Sequence, residues 1–408
     1  MKKSILFLIL PLSCALFSAC TGTKAAAEPT ATEQKTRVSY AAARQENVKS
    51  TDSFAVQMFR TLAEKQQGNV VFSPASVEAV LHLLKQGARG ATAAELNALP
   101  MGKQGVKSSI NPIEANALFI AETLRLNPGI KLDDIIPAPF ETNSPKAVEL
   151  INSWAAKNTK GLITNIVSRE NITPHTRFVA ANAIYLKAKW SRPFEKDNTW
   201  SNYTFTKANG KKAKVDMMMQ TDDFRYAEGD DWQAVALFYR SENRDSDAVP
   251  TCFIGILPKH DARAFAVALT PAKYQAIRQA LAENYAQETI VGLPRFDISS
   301  GIFSLKDTLQ ACGVARAFSP DADFRGFAAQ ENIMLSDVLQ NCRAKIDEEG
   351  TEAAAVTVAI AKDACCAPEE RPKPKKIIFN RPFIWFITDL NTPAAPYFMG
   401  LFEEPPTE

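Results

Sequence analysis

The residues of this chain that could do chemistry are few and poorly placed for catalysis. Of three histidines among 408 residues, His82 falls within an apolar helical stretch, and neither it nor His175 or His260 belongs to a recognisable triad or metal motif. Seven cysteines include Cys14 and Cys20 near the N-terminus, then Cys252, Cys312, Cys342, Cys365 and Cys366, an irregular set that fits neither a zinc spacing nor a disulfide scaffold. No catalytic group, metal or cofactor is expected. The distinctive pattern starts at Thr351. Alternate residues Thr351, Ala353, Ala355, Thr357, Ala359 and Ala361 are small and uncharged, whereas Glu352, Ala354, Val356, Val358, Ile360 and Lys362 between them vary in size and charge. Flexible loops favour Gly, Ser and Pro, none of which occurs from Thr351 to Ala367. The alternation suits a strand with one face that can enter a packed interior.

Two features flank this pattern. Cys365 and Cys366 would be accessible thiols if exposed, but a vicinal disulfide is strained, which favours reading them as unpaired small residues. Arg371, Lys373, Lys375 and Lys376, interleaved with Pro372 and Pro374, form a basic extended spacer; a polyanion site and a plain solvated charge run are both open readings.

The elements that must carry these residues are legible in outline. Val77, Val80, Leu81 and Leu84 recur at helical spacing before Gly87, and Val148, Ile151 and Ala155 repeat the pattern in a helix ending near Lys160 and Gly161. Runs at 178–186, 252–257, 382–390 and 397–402 are rich in aromatic and β-branched residues and read as strands. Helices and strands alternate without a βαβ rhythm, which points to an α+β protein with large, mainly antiparallel sheets. A hydrophobic content of 46% with 23% charged residues is that of a folded globular protein, and a net charge of +2 gives no reason to expect a nucleic-acid partner.

The N-terminus reads as an export device. Lys2 and Lys3 precede an apolar run from Ile5 to Phe17, the layout of a secretory signal over 1–19. Ser18 and Ala19 before Cys20 resemble a bacterial lipobox, which implies lipidation of Cys20 and attachment to a bacterial membrane, on its periplasmic side or at the cell surface. Ordinary cleavage nearby, and so plain secretion, is the alternative. Residues 20–50, rich in Ala, Thr, Glu, Lys and Gln, form a flexible tether, and 51–408 form one folded domain.

A series of motifs in that domain, from about Asp52 to Pro405, resembles the serpin family. The motifs occur in order: Asn69-Val70-Val71-Phe72-Ser73-Pro74-Ala75-Ser76, Gly87-Ala88-Arg89-Gly90-Ala91-Thr92, Asn182-Ala183-Ile184-Tyr185-Leu186-Lys187 with Trp190 and Phe194, Val215-Asp216-Met217-Met218-Met219-Gln220, Pro294-Arg295-Phe296 and Ala322-Asp323-Phe324. The hinge sequence Glu348-Glu349-Gly350-Thr351-Glu352-Ala353-Ala354-Ala355 follows, then Asn380-Arg381-Pro382-Phe383 and Phe398-Met399-Gly400. The resemblance implies three β-sheets, about nine helices, a metastable native form and an exposed reactive-centre loop over about 350–381.

It also implies a function. A target serine protease attacks the loop and forms an acyl-enzyme, and the severed loop, with hinge residues Glu348, Glu349, Gly350, Thr351, Ala353, Ala355 and Thr357, inserts as a new strand before deacylation. Counting from the hinge glycine places the reactive bond between Ala364 and Cys365, which suits elastase-like or subtilisin-like proteases; Lys362 and Asp363 are the alternative for trypsin-like ones, a different loop bond is also open to cysteine proteases, and counting back from Pro382 lands near Arg371. By resemblance Ser73, Ser76 and Asn182 belong to a shutter under the central sheet, Trp190 to the breach where insertion starts, and Gln340 occupies a shutter position where many members carry histidine. A monomer that is not an enzyme, with serine proteases as covalent partners, is expected. The competing reading is a non-inhibitory serpin that acts as carrier or substrate.

Overall fold

The computed structural model describes residues 53–102, 105–128, 130, 134–242, 248–329, 333–351, 373–392 and 394–406. The signal segment 1–19, the whole tether 20–50 with Cys20, and the loop residues Ala353, Ala355, Thr357, Lys362, Asp363, Ala364, Cys365, Cys366 and Arg371 lie outside the described residues. The chain begins with helix α1 (Ser53–Lys65), strand β1 (Val70–Phe72), helices α2 (Pro74–Gly87) and α3 (Gly90–Asn97), strands β2 (Ile113–Ala121) and β3 (Ile135–Ala138), and helix α4 (Ser144–Asn158). Strands β4 (Phe178–Tyr185), β5 (Ala188–Lys189), β6 (Thr199–Thr206), β7 (Lys212–Glu228), β8 (Trp232–Phe238) and β9 (Thr251–Pro258) follow. After helices α5 (Ala262–Ala268) and α6 (Pro271–Glu283) come β10 (Ala286–Pro294), β11 (Phe296–Ser299), β12 (Phe303–Ser304), helix α7 (Lys306–Ala311), β13 (Asp337–Asp347), β14 (Gly350–Thr351), β15 (Lys375–Ile378), β16 (Phe383–Asp389) and β17 (Phe398–Phe402).

The local rules behind these elements are those read from the sequence. Ser73 caps α2 by accepting a hydrogen bond from Ser76 N, and Pro74 enters the first turn, where a missing N–H costs nothing. The stripe Val77, Val80, Leu81 and Leu84 is fully buried. The helix stops at Gly87, against which the Phe327 ring packs so closely that an added Cβ would lie 2.1 Å from it. In α4, Ile151 and Ala155 are buried, and the chain leaves the helix through left-handed Lys160 and Gly161, at φ 54° and 80°. All four expected strands are present, as β4, β9, β16 and β17.

The strands form two ladders. One runs β1-β17-β16-β9-β8-β7-β10-β15 with β6 also on β7; the other runs β3-β2-β4-β13-β14-β5, with β11 and β12 on β13. Pairing is mainly antiparallel, the exceptions being β2 with β3, β4 with β13 and β10 with β15. The expected three groups of strands resolve into two continuous ladders because β7 is 17 residues long and pairs with β6 near its start and with β8 at its end. Among the described residues seven α-helices and two 3₁₀ turns surround them. Between the sheets lies an aromatic core in which Phe253 stacks on Trp385 at 6.0 Å and Phe296 meets Phe383, Trp385 and Phe402. Burial on this scale gives β4 and β13 fixed neighbours on their inner face.

Candidate functional site

The start of the alternating segment sits in a fork between two central strands. β4 and β13 run side by side in parallel, paired from Val179 with Asp337 to Tyr185 with Arg343. Past that point β13 continues to Asp347 without β4 beside it, β11 remaining on its other side, while the chain after β4 passes through Leu186 and Lys187 into β5. Gly350 and Thr351 fill the opening, antiparallel to both flanks: Gly350 faces Asp347 and Lys189, and Thr351 faces Ile346 and Ala188. Asp347 sets the turn, its Oδ1 accepting from Glu349 N at 3.0 Å and Gly350 N at 3.2 Å. Only glycine fits at 350, where φ is 151° and an added Cβ would lie 2.1 Å from the Ala188 carbonyl oxygen.

A cradle of side chains holds this fork. Backbone N–H groups of Trp190 and Phe194 donate to the carbonyls of Glu349 and Glu348, each at 2.8 Å, and the Trp190 indole Nε1 donates to Asp347 O at 2.9 Å. Trp190 is buried, stacked on Tyr239 with ring centroids 4.6 Å apart, and the Tyr239 hydroxyl lies 2.8 Å from Thr351 Oγ1. Glu348 points inward. Its Oε1 accepts from Thr199 Oγ1 at 2.7 Å and from Arg295 Nη2, whose Nη1 reaches Asp216 at 3.3 Å. Burial alone would raise the Glu348 carboxyl, but the bonds from Arg295 and Thr199 outweigh it and hold the group below the ordinary glutamate value. Asp347 behaves oppositely, its carboxyl pushed up by burial. Lys196 lies 3.2 Å from Glu349 on the exposed side.

Lower in the same seam a polar ladder crosses three strands. Asn116 of β2, Asn182 of β4 and Gln340 of β13 lie opposite one another in register. The Gln340 amide donates to Asn182 Oδ1 at 2.7 Å, and Asn182 Nδ2 donates to Asn116 Oδ1. Gln340 also clasps the start of α2, accepting from Ser73 N at 3.0 Å and donating to Ser73 O at 3.2 Å. Gln340, Asn182 and Ser73 are all fully buried, so each bond made here is one that water cannot replace.

The structure therefore brings together Ser73, Ser76, Asn182 and Gln340 at one point of the seam, and Trp190, Glu348, Glu349, Gly350 and Thr351 at another. Ser76 contributes its backbone; its hydroxyl is buried without a partner. Asn116, Thr199, Tyr239 and Arg295 were not singled out for the site by sequence reasoning. Asn116 did carry a signal, as the lone amide within the otherwise apolar half of β2, whereas the other three reach the fork through long-range folding. His82, His175 and His260 lie on α2, before β4 and after β9.

Comparison with known proteins agrees with this architecture. The family model for serpins (serine protease inhibitors) matches residues 49–405. An uncharacterized serpin-like protein of Thermococcus kodakarensis is 31% identical over 88% of this chain and 85% of its own length. The leukocyte elastase inhibitor of Bos taurus is 30% identical over 82% of the chain and 93% of that protein. Among solved structures, Serpin48 of the insect Tenebrio molitor superposes with a TM-score of 0.74 at 23% identity, covering 89% of this chain and 99% of that one. A complex of thyroxine-binding globulin with thyroxine superposes at 0.73, covering 89% and 100% at 23% identity. With its paired sheets, Gly350 and Thr351 seated in the central fork and this match along nearly its entire folded length, the chain belongs to the serpin family.

Proposed function

We propose that the chain is a suicide-substrate inhibitor of serine endopeptidases, in which the cut loop enters the seam between β4 and β13. One observation carries the reading. Gly350 faces Asp347 and Lys189, and stepping back the same four residues from each reaches Arg343 and Tyr185, which already face each other. A strand extending from Thr351 can therefore be interposed without any slip between its two neighbours. In that register Ala353 would meet Ala344, Ala355 would meet Cys342, Thr357 would meet Gln340 and Ala359 would meet Val338, all buried members of β13. The small alternate residues thus fall on the core face. Thr357 arrives between Gln340 and Asn182, where its hydroxyl can both donate and accept in place of the bond it separates.

In the proposed reaction the protease's serine oxygen attacks the Ala364 carbonyl, the peptide bond to Cys365 breaks, and an ester joins the protease to the upstream segment while Cys365 becomes a new N-terminus. Insertion drags the ester-linked protease away from the fork. Its distorted site cannot position water for deacylation. Serpins are in general protease inhibitors, and this scheme asks for no catalytic group in the chain itself. Ser73, Ser76, Asn182 and Gln340 act in it as the shutter, and Trp190 as the breach. The N-terminal reading belongs with it: residues 1–19 are removed and Cys20 is acylated, tethering the inhibitor outside the cytoplasm. Labelling with a palmitate analogue that is lost in Cys20→Ser tests that part.

The decisive experiment mixes protein from Thr21 onward with pancreatic elastase, neutrophil elastase, subtilisin and trypsin, followed by denaturing gels and mass spectrometry. A covalent band of summed mass with a released peptide starting at Cys365 is expected. A peptide starting at Asp363 moves the bond to Lys362. Clean loop cleavage by every protease, with activity retained and no adduct, overturns the inhibitory reading in favour of a substrate-like or carrier serpin.

A further inference from the structure

The ends of β9 and β16 carry a buried acid that the trapping scheme does not use. Thr251 and Asp389 close their strands opposite each other, and both are almost fully buried. Asp389 Oδ1 accepts from the Thr251 hydroxyl, which lies 2.7 Å from Ser108 Oγ. The hydroxyls of Ser108 and Tyr397 face the same carboxyl, yet Oδ2 gains no well-aligned hydrogen bond. Arg278 Nη2 of α6 donates to the backbone carbonyls of Asp389 and Thr392, each at 2.7 Å, and its charge favours the ionised carboxyl without outweighing burial. The other titratable groups facing the cluster are the Tyr397 phenol, the Cys252 thiol of β9, and Glu114 of β2 acting on Tyr397. An ionised Asp389 is thus a buried charge with incomplete compensation.

This cluster is wired to both control points of the seam. Towards the fork, Thr251 O accepts from Tyr239 N at 3.0 Å, and Tyr239 carries the hydroxyl that meets Thr351 and the ring that stacks on Trp190. Towards the polar ladder, Pro396, next to Tyr397, accepts from Ala75 N at 3.1 Å in the first turn of α2, whose cap Ser73 is clasped by Gln340. Ser108 and Ser109 fasten a third segment there. Ser109 N donates to Val249 O and Ser109 Oγ accepts from Thr251 N, each at 2.9 Å.

We propose that the Asp389 carboxyl, together with Thr251, Ser108 and Tyr397, is a proton-operated latch on the β4–β13 seam, fastening the closed sheet when neutral and loosening it when ionised. Its effect on trapping rests on the insertion reading above; its effect on the uncut protein does not. Burial pushes the Asp389 carboxyl up to about 6, above the value of an unfolded aspartate. The native form therefore keeps its proton over a range where the unfolded chain has lost it, and gives up that stability as pH rises through about 6. The inhibitor is then most securely closed in mildly acidic surroundings and easiest to spring near neutrality.

The test compares full-length wild type with Asp389→Asn, which is neutral at every pH. Thermal midpoints of the uncut proteins should diverge between about pH 4 and 7, wild type falling relative to the variant by roughly 2–4 °C. Parallel profiles overturn the latch. If Asp389→Asn does not fold, Thr251→Val removes a donor to the carboxylate and should move the step to higher pH; an unmoved step counts against the proposal equally. The ratio of adduct-forming rates, wild type over Asp389→Asn, should rise about 5-fold over the same range, cancelling the protease's own pH dependence. A constant ratio overturns the coupling to the seam. No adduct from either protein sinks the trapping scheme and leaves the thermal profiles to decide the latch.

Discussion

Replacing Ala355 by glutamate should turn the inhibitor into a substrate, and the matched change Ala354→Glu should not. Continued from Gly350 and Thr351, the register sets position 355 between Cys342 and Ile184, both fully buried. A carboxyl forced there must take up a proton. Lifting it from about 4.3 past about pH 7.4 costs about 4 kcal/mol at 1.36 kcal/mol per pH unit, and the added volume costs about 1–3 kcal/mol more. If about half of that total is felt at the step that commits insertion, the step slows on the order of 100-fold. In the inserted state position 354 would instead face Arg343, whose side chain is 42% exposed and already paired with Asp297 at 2.6 Å, so a carboxylate there would meet a guanidinium and water; the expected loss is within about threefold. The assay is the fraction of protein found as gel-stable adduct with an elastase-like protease, and the number of inhibitor molecules consumed per protease silenced. Wild-type adduct yield from Ala355→Glu, or equal losses from the two variants, would refute the reasoning about which face enters the sheet.

Other outcomes follow from the fork and the ladder. Gly350→Ala must push against the Ala188 carbonyl and should lower the thermal midpoint of the uncut protein, at a cost of about 1–3 kcal/mol. Glu348→Gln should destabilise by about 1–3 kcal/mol near neutrality by weakening the bonds from Arg295 and Thr199. Because the Glu348 carboxyl is held low in the native form, its contribution is present above the unfolded glutamate value and lost as pH falls through the native one. Denaturant midpoints of wild type and Glu348→Gln should therefore converge in acid, and a constant gap would contradict the assignment. Gln340→Leu leaves Ser73 N, Ser73 O and Asn182 Oδ1 without their partner; a loss of about 2–5 kcal/mol is expected in urea unfolding, and an unchanged midpoint would mean the ladder is not what closes the seam.

The parts of this fold that a sequence shows well are those governed by neighbours in the chain. Val77, Val80, Leu81 and Leu84 mark a buried helical face through spacing alone, and Ser73 with Pro74 marks its start. The alternation from Thr351 is readable for the same reason, since its period is local. What spacing does not contain is the partner of each edge. Nothing around Glu348 reveals that Thr199 and Arg295 will converge on its carboxylate, since these contacts span 149 and 53 residues. Gly350 reads as a hinge, but the reason no side chain fits there is the Ala188 carbonyl, supplied by another strand. The union of two strand groups through β7 is hidden likewise, because a single long run of residues does not say that its two ends will choose different neighbours.

The seating of Gly350 and Thr351 changes the kinetics to be expected of loop entry. Adding a strand to a closed sheet ordinarily begins with an unfavourable search in which a free segment must find its slot and lose its freedom before any ladder bond forms. Here the first rungs on both flanks are already made, so under the proposed trapping scheme insertion would start beyond nucleation and resemble the propagation of a zipper. Its speed then depends on the next few residues to be threaded, in order, and hardly at all on how much slack chain lies beyond the cut. A race against hydrolysis is most easily won by a runner already past the starting line, and the residues that govern it are those nearest the fork.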